Sequence, residues 1–89
     1  MIKTNLLIIN KLGLHARAAS KLVTTASAYS STIKIGCNGN MVDAKSIMSV
    51  MMLAACKGTE LDLEVQGNDQ QAASDAIHDL IQRRFDEPE

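Results

Sequence analysis

The 89-residue sequence predicts an α+β domain, one sheet covered on a single face by helices, in the order strand, helix, strand, strand, helix, strand, helix (βαββαβα). Three observations carry this. "ELDLEVQ" (60–66) alternates strictly, Leu61, Leu63 and Val65 against Glu60, Asp62, Glu64 and Gln66, so one face of its strand meets water. Residues 16 to about 28 place Ala18, Ala19, Leu22, Val23 and Ala26 at the spacing of a helix with one buried stripe. Asn38-Gly39 follows the alternating "TIKIGC" and suits the positive φ angles of a two-residue hairpin. A sheet wet on one side and amphipathic helices fit each other in a two-layer arrangement.

The remaining elements fill in the order. "IKTNLLII" (2–9) reads as the first strand, with Leu6 and Ile8 on one face and Leu7 and Ile9 on the other, so its pattern does not choose between them. "NKLGLH" turns the chain into the first helix. "NMVDA" (40–44) is the return strand of the hairpin. Ser46 caps a helix from Ile47 to about Ala55 that Lys57-Gly58 ends. "GNDQQ" opens a last helix of about 15 residues whose buried side is Ala73, Ala76, Ile77, Leu80, Ile81 and Arg84. His78 falls opposite, with Gln71, Ser74, Asp75 and Gln82, and reads as a surface residue.

Composition narrows the function. Residues 1–89 suffice for one domain, since cores organise on a scale of roughly 100 to 150 residues, and such a domain folds without a metal or disulfide staple. Nine basic and ten acidic residues leave a net charge of −1, which removes the positive field a nucleic-acid binder relies on. Cys37 and Cys56 are not spaced as metal ligands and read as packed thiols. The apolar run Leu6–Ile9 is far too short for a signal-peptide core or the roughly 20 residues of a membrane span, so a cytoplasmic protein with no membrane insertion is expected.

The chemistry concentrates in "GLHARAAS" (13–20). His15 follows a glycine turn and precedes a helix, beside the unpaired amides of Ala16, Arg17 and Ala18, which with the helix dipole make an anion site. Arg17 adds a planar cationic fork suited to phosphate oxygens. A neutral imidazole is a nucleophile near pH 7, so the group can both attack phosphorus and sit among donors that hold the product. The plain alternative is that His15 is an N-cap or a packing residue. No acid partner of the kind a triad needs is visible, which also leaves a small hydrolase without a residue to activate water.

"GLHARAAS" together with "KSIMSVMMLAACKG" resembles the HPr family, the histidine-containing phosphocarriers of the bacterial phosphoenolpyruvate-dependent phosphotransferase system. The likeness covers nearly the whole chain: "NKLGLHARAASKLV", the hairpin, "AKSIMSVMMLAACKGTELDLEV" and the last helix stand in the expected order. It implies an open-faced β-sandwich of four antiparallel strands with three helices on one side. It also implies that His15 takes a phosphoryl group from phosphorylated enzyme I on its δ nitrogen and passes it to an enzyme IIA domain, with Arg17 steadying the group. No cofactor is implied. Ser46 matches the family's regulatory serine, which in some bacteria is phosphorylated by an ATP-dependent HPr kinase/phosphorylase. The common family pattern has proline where this chain has Ala18; alanine gives up a fixed φ but supplies one more N–H to an anion, so transfer is expected to survive. "NKLG" and "RRFDEPE" look more like the nitrogen-type and proteobacterial branches than the sugar carriers of enteric bacteria.

"IMSVMMLAAC" holds more apolar residues than one buried stripe uses. Ile47, Val50 and Ala54 share one face, Met48, Met52 and Ala55 another, with Met51 between. Flexible thioethers suit a surface that accepts several partners, so Ile47, Met48 and Met51 are the expected docking residues. A phosphate on Ser46 beside them adds about −1.5 to −2 charge and acts by repulsion at that surface. The leading expectation is a monomeric phosphoryl carrier rather than an independent catalyst. The alternative is a regulatory module whose phosphorylation state is read by kinases, transporters or transcription factors.

Overall fold

The computed structural model describes residues 1–89. Its elements are β1 (Ile2–Leu7), α1 (Ala16–Ser27), β2 (Thr32–Cys37), β3 (Asn40–Asp43), α2 (Ile47–Met52), β4 (Glu60–Gln66) and α3 (Gln70–Gln82), then a short turn at Arg84–Asp86. The strands form one antiparallel sheet in the order β1-β4-β2-β3. The open-faced α+β sandwich expected from the sequence is the fold observed.

Register follows burial. Ile2 stands opposite Val65 and Leu6 opposite Leu61, while Ile33 and Ile35 pair with Val65 and Leu63 on the other side of β4. A slip of one residue would turn this apolar row to solvent, so the alternation of β4 locks both neighbours. The helices close the face with Ala18, Ala19, Leu22 and Ala26 of α1 and Ala73, Ile77, Leu80 and Ile81 of α3. Tertiary packing resolves the ambiguity of the first strand: Leu6 and Ile8 are buried, while Leu7 is 52% exposed. The hairpin bends as its residues dictate, with φ of 53° at Asn38 and 81° at Gly39.

Several boundaries and placements differ from the pattern. β1 stops at Leu7 and β3 at Asp43. α2 stops at Met52, short of Ala55, because Ala54 takes a left-handed φ of 50° and ends the helix before Lys57-Gly58 is reached. That reversal exchanges two predicted positions: Ala55 is buried and Ala54 exposed. In α3, Ser74 is buried rather than exposed and His78 is half-buried, while Arg84 lies beyond the helix and is exposed. Cys37 is half-buried as a packed thiol should be, but Cys56 is exposed.

Asp69 precedes α3 without capping it. Its carboxylate instead accepts from the Ser31 hydroxyl, from the Ser30 amide at 2.8 Å and from the Ser31 amide at 3.0 Å, tying the α1–β2 turn to the start of α3. The Ser31 hydroxyl, then the Ser30 amide, lower its pKa from 3.8 to about 2 against the opposing effect of desolvation. A depressed carboxyl pKa adds stability that is complete above the unfolded value and fades as pH falls from 3.8 toward about 2. Asp69→Asn is therefore expected to lower the neutral-pH melting temperature by several degrees and to flatten the acid fall of Tm in that window, as thermal unfolding across pH would record.

Candidate functional site

The loop before α1 is shaped by close backbone approach. Gly13 has a φ of +66°, and a Cβ there would lie 2.4 Å from the Ala55 carbonyl oxygen and 2.8 Å from the Cys56 Cα. No side chain fits. The next amide, Leu14 N–H, donates to that carbonyl at 2.8 Å, so the segment leaving α2 holds the segment entering α1.

His15 then occupies the N-cap position in extended backbone, φ −71° and ψ 177°, while its ring makes no capping bond. Of the plain alternative, an N-cap or packing residue, the structure keeps the N-cap position and the half-burial but not a side-chain cap: the Ala19 amide donates to the His15 carbonyl, and no hydrogen bond reaches the amides of Ala16, Arg17 or Ala18. These three N–H groups have no acceptor in the protein and stand at the positive end of a 12-residue helix that follows the half-buried His15; Ala16 and Arg17 are exposed there, while Ala18 is fully buried. Ala18 contributes one of these donors, which a proline would lack. The Arg17 side chain is exposed and forms no ion pair, and it lines with His15, Lys11, Leu12 and Glu87 an open cleft of about 280 Å³.

One participant was not foreseen. The Glu87 carboxylate, which the sequence reading left out in finding no acid partner, makes a short contact through Oε2 with His15 Nε2. Its other oxygen accepts from Asn10 Nδ2 at 2.9 Å. Glu87 reaches the site because Arg84, Phe85 and Asp86 take consecutive left-handed φ values of 56°, 55° and 62°, which fold the tail back from α3 across the entrance of α1. Neither periodicity nor a turn motif in "RRFDEPE" signals such a hook.

A family model described as the PTS HPr component phosphorylation site matches residues 2–83. The chain belongs to the HPr family. It is 53% identical over 89 residues to the phosphocarrier protein HPr of Cupriavidus necator, covering all of both chains. Against the phosphocarrier protein HPr of Pseudomonas aeruginosa it is 54% identical over 83 residues, 92% of each. Among solved structures, HPr-C-His from Thermoanaerobacter tengcongensis superposes with a TM-score of 0.96 at 40% identity over the full length of both chains. An HPr dimer from the same organism matches at 0.79 and 41%, covering 98% of this chain and 100% of that one.

Of the other residues singled out in this HPr-family chain, Ser46 caps α2, its hydroxyl accepting from the Ser49 amide at 3.4 Å. Ile47, Met48 and Met51 are 37%, 67% and 39% exposed, so the helix leaves an apolar surface in solvent. Met52, at 80%, is the most exposed of the group and belongs to the same surface. No three histidine, cysteine or carboxylate side chains gather as metal ligands would, and no helix is long and apolar enough to cross a membrane.

Proposed function

We propose that this phosphocarrier of the phosphotransferase system bears its phosphoryl group on His15, accepting it from phosphorylated enzyme I and delivering it to an enzyme IIA domain in the cytoplasm. The observation that carries the reading is the unpaired amide triplet at the start of α1 beside an imidazole and an unpaired guanidinium. In the transfer, phosphorus forms a bond to the His15 ring as its bond to the donor side chain breaks. Charge spread over the phosphoryl oxygens then meets the Ala16, Arg17 and Ala18 amides and Arg17, donors already in place before reaction. Little covalent work falls to the carrier, which acts as a monomer presenting one face to each partner in turn.

Ile47, Met48 and Met51 supply the apolar part of that face, kept small so each partner is released quickly. Ser46 sits at its edge, where a phosphate added by an HPr kinase/phosphorylase would be tolerated by the helix terminus and repelled by an acidic partner. The test is direct: with phosphoenolpyruvate and enzyme I, the chain should gain the mass of one phosphate, and mild acid should remove it as expected for a phosphorus–nitrogen bond. A chain that gains no mass overturns the reading.

A further inference from the structure

The His15 ring has two nitrogens, and the structure treats them differently. Nε2 meets the Glu87 carboxylate, while no group of the protein hydrogen-bonds Nδ1. The carboxylate is held from behind. Its side chain is 9% exposed, and its second oxygen is fixed by the amide of Asn10, a fully buried residue. Asn10 Nδ2 also donates to the Gly13 carbonyl at 2.9 Å, and the Gly13 amide returns a bond to the Asn10 carbonyl at 3.2 Å. Both side-chain N–H groups of Asn10 face acceptors, so a flipped amide would set its oxygen against two others. Asn10 thus ties the turn that places His15 to the acid that meets His15. The tail is pinned on either side, by Lys21 Nζ to the Phe85 carbonyl at 2.9 Å and by the Lys11 amide to the Glu89 carbonyl at 2.8 Å.

We propose that Glu87, oriented by Asn10, is a positioning residue for phosphoryl transfer, keeping the His15 proton on Nε2 and so leaving the lone pair on Nδ1 to attack phosphorus. This rests on His15 being the acceptor. The step balances without a proton transfer at the ring. The Nδ1 lone pair forms the new bond to phosphorus, and the electron pair of the old bond leaves with the donor. The ring, still bearing its Nε2 hydrogen, becomes cationic, and that charge faces the carboxylate. Delivery to the next protein reverses each change. Burial alone would push the Glu87 carboxyl up, yet the bonds from Asn10 and His15 and the nearby charge of Arg17 hold it below its ordinary range, so it stays an anion. A carboxylate that orients a histidine and answers its charge without taking the proton is the same division of labour found in hydrolytic triads.

The experiment compares the full chain with Glu87→Ala and Glu87→Gln by nitrogen-15 NMR of the neutral His15 ring and by single-turnover loading from phosphorylated enzyme I at saturating concentrations. The wild type should hold the Nε2–H tautomer. Glu87→Ala should show a mixture of tautomers and a loading rate at saturation lower by about tenfold or more, the factor carried by one charge-assisted hydrogen bond. Glu87→Gln keeps an acceptor without the charge, so it should retain the tautomer and recover part of the rate. If Glu87→Ala leaves either the tautomer or the saturated rate at its wild-type value, or loads faster, the role assigned to Glu87 is wrong. A wild-type chain that takes no phosphate sinks the acceptor reading instead, and the two failures are told apart by that control.

Discussion

His15→Ala is expected to take up no phosphate from enzyme I, while Arg17→Ala is expected to load the same single phosphate at a rate lower by about 10- to 100-fold. The two losses differ because the residues do different things. On the proposed reading His15 supplies the atom that bonds to phosphorus, and the ring has no substitute nearby: the only other histidine, His78, lies in α3, outside the cleft that His15 and Arg17 share. On the same reading Arg17 supplies charge to oxygens that main-chain amides also meet, so its removal is expected to forfeit one charge-assisted interaction of about 1.5–3 kcal/mol rather than the reaction. Neither change should unfold the chain. The His15 ring caps nothing and is outside the core, and Arg17 is exposed without a partner. Intact-mass measurement gives the endpoint, rapid quench the rate, and thermal unfolding confirms that the fold is kept. Phosphate persisting in His15→Ala would move the acceptor to another side chain.

The proposed acceptor and its candidate donors could be read from the sequence because they are local. A glycine turn, an imidazole and the first amides of a helix lie within a few residues, and helix geometry alone brings them together. Strand β4 and the Asn38-Gly39 hairpin were legible for the same reason: alternation and turn chemistry are short-range signals. What was not legible depends on contacts between distant residues. The apolar periodicity of "IMSVMMLAAC" runs on past Met52, but Ala54 turns left-handed and the Ala55 carbonyl is taken by Leu14. Ser74 sits on the polar side of the helical wheel and is nonetheless covered in the packed molecule. Glu87 is the clearest case, standing 72 residues from the histidine it touches, at the end of a hook in which Asp86 alone is a turn-forming residue and Arg84 and Phe85 are not.

That hook makes Phe85 the side chain whose loss should cost most. Phe85 is completely buried, the largest such side chain in the protein, and it joins the core that α3 shares with the sheet. Truncating a buried phenylalanine to alanine costs about 3–5 kcal/mol, against roughly 4–13 kcal/mol of total stability for a chain of this size. A left-handed backbone costs roughly 1–2 kcal/mol per non-glycine residue, so the three consecutive residues Arg84, Phe85 and Asp86 persist only because something holds them. Surface pairs contribute little of that: Arg83 to Asp86 at 3.0 Å and Lys21 to Asp86 at 3.4 Å are exposed contacts of the kind worth at most about 1 kcal/mol each. Burial of the ring is therefore expected to contribute more to keeping the tail folded back than these pairs do, alongside the bonds from Lys21 to the Phe85 carbonyl, from the Lys11 amide to the Glu89 carbonyl and from Asn10 to Glu87. Phe85→Ala is expected to lower the urea midpoint sharply and to remove the Glu87–His15 contact, seen as an altered His15 ring signal even at temperatures where the rest of the chain stays folded. Phe85→Leu keeps an apolar anchor and should lose far less on both counts. An alanine variant with a wild-type midpoint would mean that the tail is held by its polar contacts instead, and the carboxylate beside His15 would then owe its place to Lys21 and Asn10 rather than to the core.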